Sequence, residues 1–249
     1  MTPMFLVIWS VRIAALGLVL GVLAAVVAVG AGFGHRLGWW AYRDGFAVLG
    51  WVAWLGLGSV AVSLLGLALG WSRVRGAVLM ALIGVVLGGA VAWIPYQSRA
   101  VLRASVRLPD VTTDTQSPPP FVAVLEVRRA AGARNGVDYD PDNAAVQARA
   151  YPDILPVRLT LRPDEAFDRA LAAVRALGLD VMAVDKTAGR IEATAMTFWF
   201  GFKDDVVIRV TTETGGARVD IRSSSRVGGR DGGTNAARVR KIARRIGGG

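Results

Sequence analysis

The chain has 249 residues, no cysteine, a single histidine and a formal net charge of +10. Without cysteine there is neither a disulfide framework nor thiol chemistry. The lone His35 lies beside an apolar run, which leaves the rest of the chain without a Ser–His relay or a His/Cys zinc site. Composition then divides the chain, because residues 1–97 carry only Arg12, Arg36, Arg43, Asp44, Arg73 and Arg75 as charged side chains.

Three charge-free apolar runs fill that first part, at Ile13–Gly34, Phe46–Trp71 and Ala77–Gln97. Each exceeds the roughly 18–20 residues a helix needs to cross a hydrocarbon core of about 30 Å. Unpaired backbone groups are costly in lipid, so the runs are read as membrane helices. The first run is too long for a cleaved signal and two more follow it, which makes it a retained span. Trp39, Trp40, Tyr42, Trp71, Trp93 and Tyr96 fall near the run ends, where interfacial anchors belong. Gly56, Gly58, Gly84, Gly88 and Gly89 would allow close helix approach. A tight bundle is one reading and a surface for membrane-protein partners another; the ordinary abundance of glycine in membrane helices is the simpler one.

Residues 98–120 read as a connector. Pro118-Pro-Pro120 fixes φ and withdraws amide donors, so it should be extended and stiff. Phe121–Val127 follows as a short strand or docking segment, then a polar stretch to Ala150 with turn residues at Asn135-Gly136 and Asp138–Asp142. The alternation of Asp138, Asp140 and Asp142 resembles a calcium loop in spacing. It lacks the central Gly and closing Glu and contains Pro141, so a solvated loop and no metal are expected.

From there the pattern is strand, helix, several strands, helix. Ile154–Leu161 ends in alternation, and Pro163-Asp-Glu opens an amphipathic helix that Gly178 should close. Leu179–Val184, Arg190–Met196, Val206–Thr212 and Arg218–Ser223 read as strands. A last helix over about Asn235–Ile246 buries Val239, Ile242, Ala243 and Ile246, with Thr234 or Asn235 as its cap. The fold class is an N-terminal three-helix transmembrane anchor (1–97) plus an α+β domain (121–249), an antiparallel sheet with two packed helices. Thr197–Phe202 reads first as core, with Trp199 alone exposed enough to meet lipid or a partner.

Four features bear on chemistry. Asp204 and Asp205 sit next to Lys203 in an expected hairpin turn; carboxylates there could do acid–base work, but neighbours on a strand point to opposite sides. Arg222, Ser224 and Arg226 would share a strand face and could hold a phosphate, sulfate or carboxylate, or else pair with Asp204, Asp205 or Asp231. The Gly228–Asn235 run enters a helix whose amides, with Arg226 and Arg230, would make an anion pocket; without Lys after the glycines it is not a nucleotide loop. The basic final helix suits anionic lipid or nucleic acid in principle, but a solvated face is preferred and nucleic acid is not an expected partner.

Several segments together resemble one family. Gly189-Arg-Ile-Glu-Ala193, Phe202-Lys-Asp-Asp-Val-Val-Ile-Arg-Val210 and Val219-Asp-Ile-Arg-Ser-Ser-Ser-Arg-Val-Gly228 carry most of it. Asp231-Gly232 with Asn235-Ala236 add to it, as do Thr112–Phe121 and Ala150–Ile154 upstream. On these residues the chain resembles the DUF1499 domain family over about its last 140 residues. The resemblance supplies no activity, and implies an exported or lumenal domain. Arg12 and the short Ser72–Gly76 connection also favour a cytoplasmic N-terminus, although Arg36, Arg43, Arg99, Arg103 and Arg107 would then lie outside. The expectation is an integral protein of a bacterial inner membrane with a periplasmic C-terminal domain. It should act as a binding or accessory module for a small anionic ligand, without a cofactor. Arg222, Ser224, Arg226, Asp231 and Asn235 are the candidate ligand residues, with Asp204, Asp205 and Arg209 secondary. An enzyme working on an anionic envelope substrate through Asp204 and Asp205, and a subunit of a membrane complex, are the alternatives.

Overall fold

The computed structural model describes residues 3–71 and 74–248. Ser72 and Arg73, used in reading the membrane orientation, lie outside the described residues. The chain forms two units: residues 1–101 with Phe198–Gly201, and residues 102–197 with 202–249.

The helical unit contains α1 (Pro3–Arg36), α2 (Tyr42–Gly70) and α3 (Arg75–Ala104), each long and apolar enough to cross a membrane. All three outrun their charge-free sequence runs. Backbone hydrogen bonding propagates a helix past an isolated charge, and Arg12 lies over the Trp9 ring. Small residues make the seams. Ser59 on α2 donates to the carbonyls of Gly17 on α1 (2.8 Å) and Gly84 on α3 (3.1 Å), tying all three helices. A Cβ on Gly56 would lie 2.6 Å from the Gly88 carbonyl oxygen, whereas Gly58 and Gly89 face open space. The glycines thus separate into packing and outward-facing sets, a division of helix faces that composition does not display. Phe198–Gly201 groups with these helices as a turn rather than continuing a strand. Phe200 is buried against Phe46, Trp199 Nε1 donates to the Val29 carbonyl, and Phe198 is exposed.

The second unit is a six-stranded antiparallel sheet in the order β1-β6-β5-β4-β3. Its strands are β1 (Asp110–Thr112), β2 (Val157–Leu159), β3 (Asp180–Asp185), β4 (Arg190–Met196), β5 (Lys203–Glu213) and β6 (Gly216–Ser225). β1 and β2 are both short and pair with successive parts of β6, closing one edge between them. Helices α6 (Pro163–Ala176) and α7 (Thr234–Gly247) bury Phe167, Val174, Val239, Ile242 and Ile246 against Val206, Ile208, Val219 and Ile221. Gly178, at φ 69°, ends α6 in the left-handed conformation its position called for.

Parts of the chain fold differently from their sequence reading. The stretch read as connector is partly structured: α3 runs to Ala104, and Asp110–Thr112 is a strand because the β6 edge would otherwise be open. Phe121–Val127 leads into helix α4 (Val124–Ala130), not a strand, since buried Glu192 accepts the amides of Val122, Ala123 and Val124. The polar stretch contains α5 (Asp142–Ala150), where Asp140 takes the Asp142 amide, so the acidic alternation is a helix start.

The glycine seam yields a prediction. Gly56→Leu should destabilise the helical unit by about 1–3 kcal/mol through overpacking, and Gly58→Leu should have no such effect. Thermal unfolding of the full chain in detergent, followed by tryptophan fluorescence, separates the two; equal melting temperatures would refute the packing assignment.

Candidate functional site

Strand alternation gives the sheet two unlike faces. Beneath α6 and α7 it is apolar; on the other side β4, β5 and β6 present Glu192, Thr194, Asp205, Arg209, Asp220 and Arg222. Residues 113–139, including α4, cover this charged face, and Phe121 packs there with Val124 and Val207.

At its centre is Asp205, fully buried. Arg226 donates to both carboxylate oxygens (2.7 and 2.9 Å), Arg128 to one at 2.7 Å and the Thr194 hydroxyl to the other at 2.8 Å. Both arginines are buried too, at 2% and 4% exposure. The second guanidinium is balanced by carbonyl groups: Arg128 also reaches the oxygens of Asn135, Gly136 and Ser225. Burial alone would raise the Asp205 pKa, but the hydrogen bonds from Arg226, Thr194 and Arg128 outweigh it and hold the carboxyl below the usual range.

The expected turn at Lys203–Asp205 is therefore incorrect. These residues begin β5, and the turn is Phe198–Gly201. Asp204 faces the other way from Asp205 and pairs with Arg238 at 2.7 Å, so the two carboxylates do not converge.

The remaining sequence candidates also have structural partners. Arg222 grips Asp110 with Nε and Nη2 (3.0 and 2.7 Å), donates to the Pro119 and Val137 carbonyls, and lies over the Phe121 ring. Arg209 joins Asp114 and Asp220. Asp231 accepts the Gly233 and Asn235 amides, so the start of α7 receives the chain's own carboxylate where an external anion was expected; Gly233 at φ 83° is the cap residue. Asn235 links the Ser223 and Ser225 hydroxyls with the Pro109 carbonyl. Arg230 donates to the Ser105 carbonyl.

Ser224 stands apart. It is 2% exposed, its hydroxyl has no hydrogen-bond partner among the described residues, and it lines a cleft of about 540 Å³ at the β1–β6 edge. Arg107, Arg134, Asp138, Asp140 and Asn143 line the same cleft, with Asp110 against its floor. Arg107, Arg134, Asp138 and Asp140 form no salt bridge among the described residues. Tyr139, behind the cleft wall, has its hydroxyl pushed up to about 12 by burial and the Asp110 charge. Periodicity along the chain does not gather these residues, because they come from β1 and the chain before it, the α4–α5 loop, the start of α5 and β6. Their only local signal was the concentration of polar side chains over 134–143.

Three apolar helices followed by a sheet with one charged, covered face define a membrane-anchored α+β protein. The family model described as "Protein of unknown function (DUF1499)" matches residues 110–246, from the first residue of β1 to the last turn of α7. That is more than half of the chain, which therefore belongs to the DUF1499 family. No curated protein and no solved structure matches it.

Asp205→Asn should cost about 3–5 kcal/mol, since it leaves two buried guanidiniums without their counter-charge. The depressed Asp205 pKa also fixes a direction with pH. Its stabilisation is present above the ordinary carboxylate pKa of about 3.9 and is lost as pH falls below it toward the folded value. Denaturation of the native chain and the Asn variant between neutral pH and pH 3 should show their stabilities converging in acid; a gap that stays constant would contradict this assignment.

Proposed function

We propose that this protein is a membrane-anchored binding module that takes a small ligand by an anionic group in the cleft beside Ser224. One observation carries the reading: Arg107 and Arg134, which have no carboxylate partner among the described residues, line the same cleft as Ser224, whose hydroxyl has no hydrogen-bond partner among them either. A Ser hydroxyl in a cleft that Arg side chains also line suits an oxyanion, because both groups donate to its oxygens. The arginines first singled out, Arg222 and Arg226, hold the sheet and its cover together, which leaves ligand contact to the Ser224 side of that cluster.

The reading places the domain on the outer side of a bacterial inner membrane. Arg12, which precedes the charge-free run of α1, and Arg75, at the start of α3, support it, as does the outward location that the family resemblance implies. The chain's lack of cysteine makes this directly measurable. A cysteine introduced at exposed Ala131 should react in intact cells with a maleimide that cannot cross the inner membrane; labelling only after lysis would reverse the orientation.

Calorimetry of the full chain in detergent should detect inorganic phosphate binding. The double variant Arg107→Ala/Arg134→Ala should weaken it by about ten-fold or more, with the melting temperature unchanged because both side chains are exposed. Unaltered phosphate affinity in that variant would overturn the assignment.

A further inference from the structure

We infer that the ligand of this cleft is a zwitterion, an ammonium group joined through a short chain to a phosphate, as in phosphoethanolamine. The inference rests on the cleft being the binding site proposed above and adds the chemistry of the ligand's other end.

The argument is one of charge balance. Arg107 and Arg134 stand in the cleft wall with Asp138 and Asp140, and none of the four is within salt-bridge distance of an opposite charge among the described residues. Asp110 also lines the cleft, but its carboxylate is occupied by the Nε and Nη2 of Arg222. A bare anion would gain from the two guanidiniums and meet two uncompensated carboxylates; a bare cation would meet the reverse. Only a ligand with both signs is attracted by both pairs.

Each end can be specified further. Two guanidinium forks and the Ser224 hydroxyl offer more donors than a carboxylate's two oxygens use well, whereas a phosphate presents three oxygens to them. Asp138, Asp140 and the Asn143 side chain offer hydrogen-bond acceptors to N–H groups. Among the described residues no aromatic side chain lines the cleft, which disfavours a quaternary ammonium, the group that aromatic cages hold.

The test is calorimetry on the full chain in detergent with phosphoethanolamine, inorganic phosphate, ethanolamine and phosphocholine. Phosphoethanolamine should bind at least about ten-fold more tightly than phosphate or phosphocholine, and ethanolamine should give no signal. In Asp138→Asn/Asp140→Asn that advantage should fall to within about two-fold while phosphate affinity holds or rises. Asn keeps the side-chain oxygen that receives the Asp142 amide, so α5 retains its start.

Phosphate binding as tightly as phosphoethanolamine would overturn the zwitterion and leave the anion site standing. Binding of neither compound would remove both. Repeating the titration in nanodiscs separates two sources of the same chemistry. Weaker apparent binding of phosphoethanolamine in phosphatidylethanolamine discs than in phosphatidylcholine discs would identify a lipid headgroup occupying the cleft, and equal binding a free ligand; either supports the inference.

Discussion

Four donors on three side chains from separate parts of the chain converge on Asp205, and the organisation of the α+β unit follows from that convergence. Thr194 reaches it from β4, Arg226 from the end of β6 and Arg128 from α4. A carboxylate taken out of water is costly unless its oxygens are filled, and here both are. Two arginines for one carboxylate would leave an excess buried charge, which the carbonyls of residues 135, 136 and 225 offset by accepting from Arg128. Those carbonyls lie in the 135–136 loop and at the end of β6, so the same ions that join β4 to β6 also hold the covering segment onto the sheet. Packing against α6 and α7 supplies the apolar core, whereas this ion cluster fixes what lies on the opposite face.

The same principle recurs around it. Asp110 meets Arg222, Asp220 and Asp114 meet Arg209 and Arg218, Glu192 meets the α4 amides, and Asp231 meets the α7 amides. The conspicuous charged groups of the sequence are therefore partnered within the fold. That is why the cleft proposed for the ligand stands out by its residual chemistry. Arg107, Arg134, Asp138, Asp140 and the Ser224 hydroxyl are the polar groups that folding leaves open in one place. Buried ion clusters and an open, mixed-charge cleft thus share one strand, with Arg222 and Ser224 two residues apart on the same face.

How far the sequence led can be judged from particular residues. The three apolar runs identified their helices because lipid admits few alternatives, and the 3.6-residue spacing of Val239, Ile242 and Ile246 identified α7 and its buried face. Alternation located β4, β5 and β6 to within a few residues. It failed at Thr197–Phe202, where Gly201 at φ 67° turns the chain, and at Asp204–Asp205, where turn-like residue types sit in a central strand. Asp favours turns where local amides and water fill its oxygens; with Arg238 or Arg128 and Arg226 to fill them instead, it is stable in a sheet. The candidate cluster was legible as a set of interacting polar residues, but the allocation of roles within it was not. Ser224 and Arg222 look alike as ligand groups on a strand face until Asp110 is seen to occupy the guanidinium and no described residue the hydroxyl.

By itself, the sequence determined the apolar spans and the principal strands and helices from β3 to α7, because these depend on composition and on periodicity along the chain, and its motifs carried the resemblance to the family. Tertiary structure alone decided which glycines form the helix seams, which face of the sheet carries charge, which arginines are bound to carboxylates and which remain free. Those properties depend on pairing between residues as far apart as Arg128 and Asp205 or Asp110 and Arg222, and the sign of a charge says nothing about its partner until the fold brings the two within 3 Å.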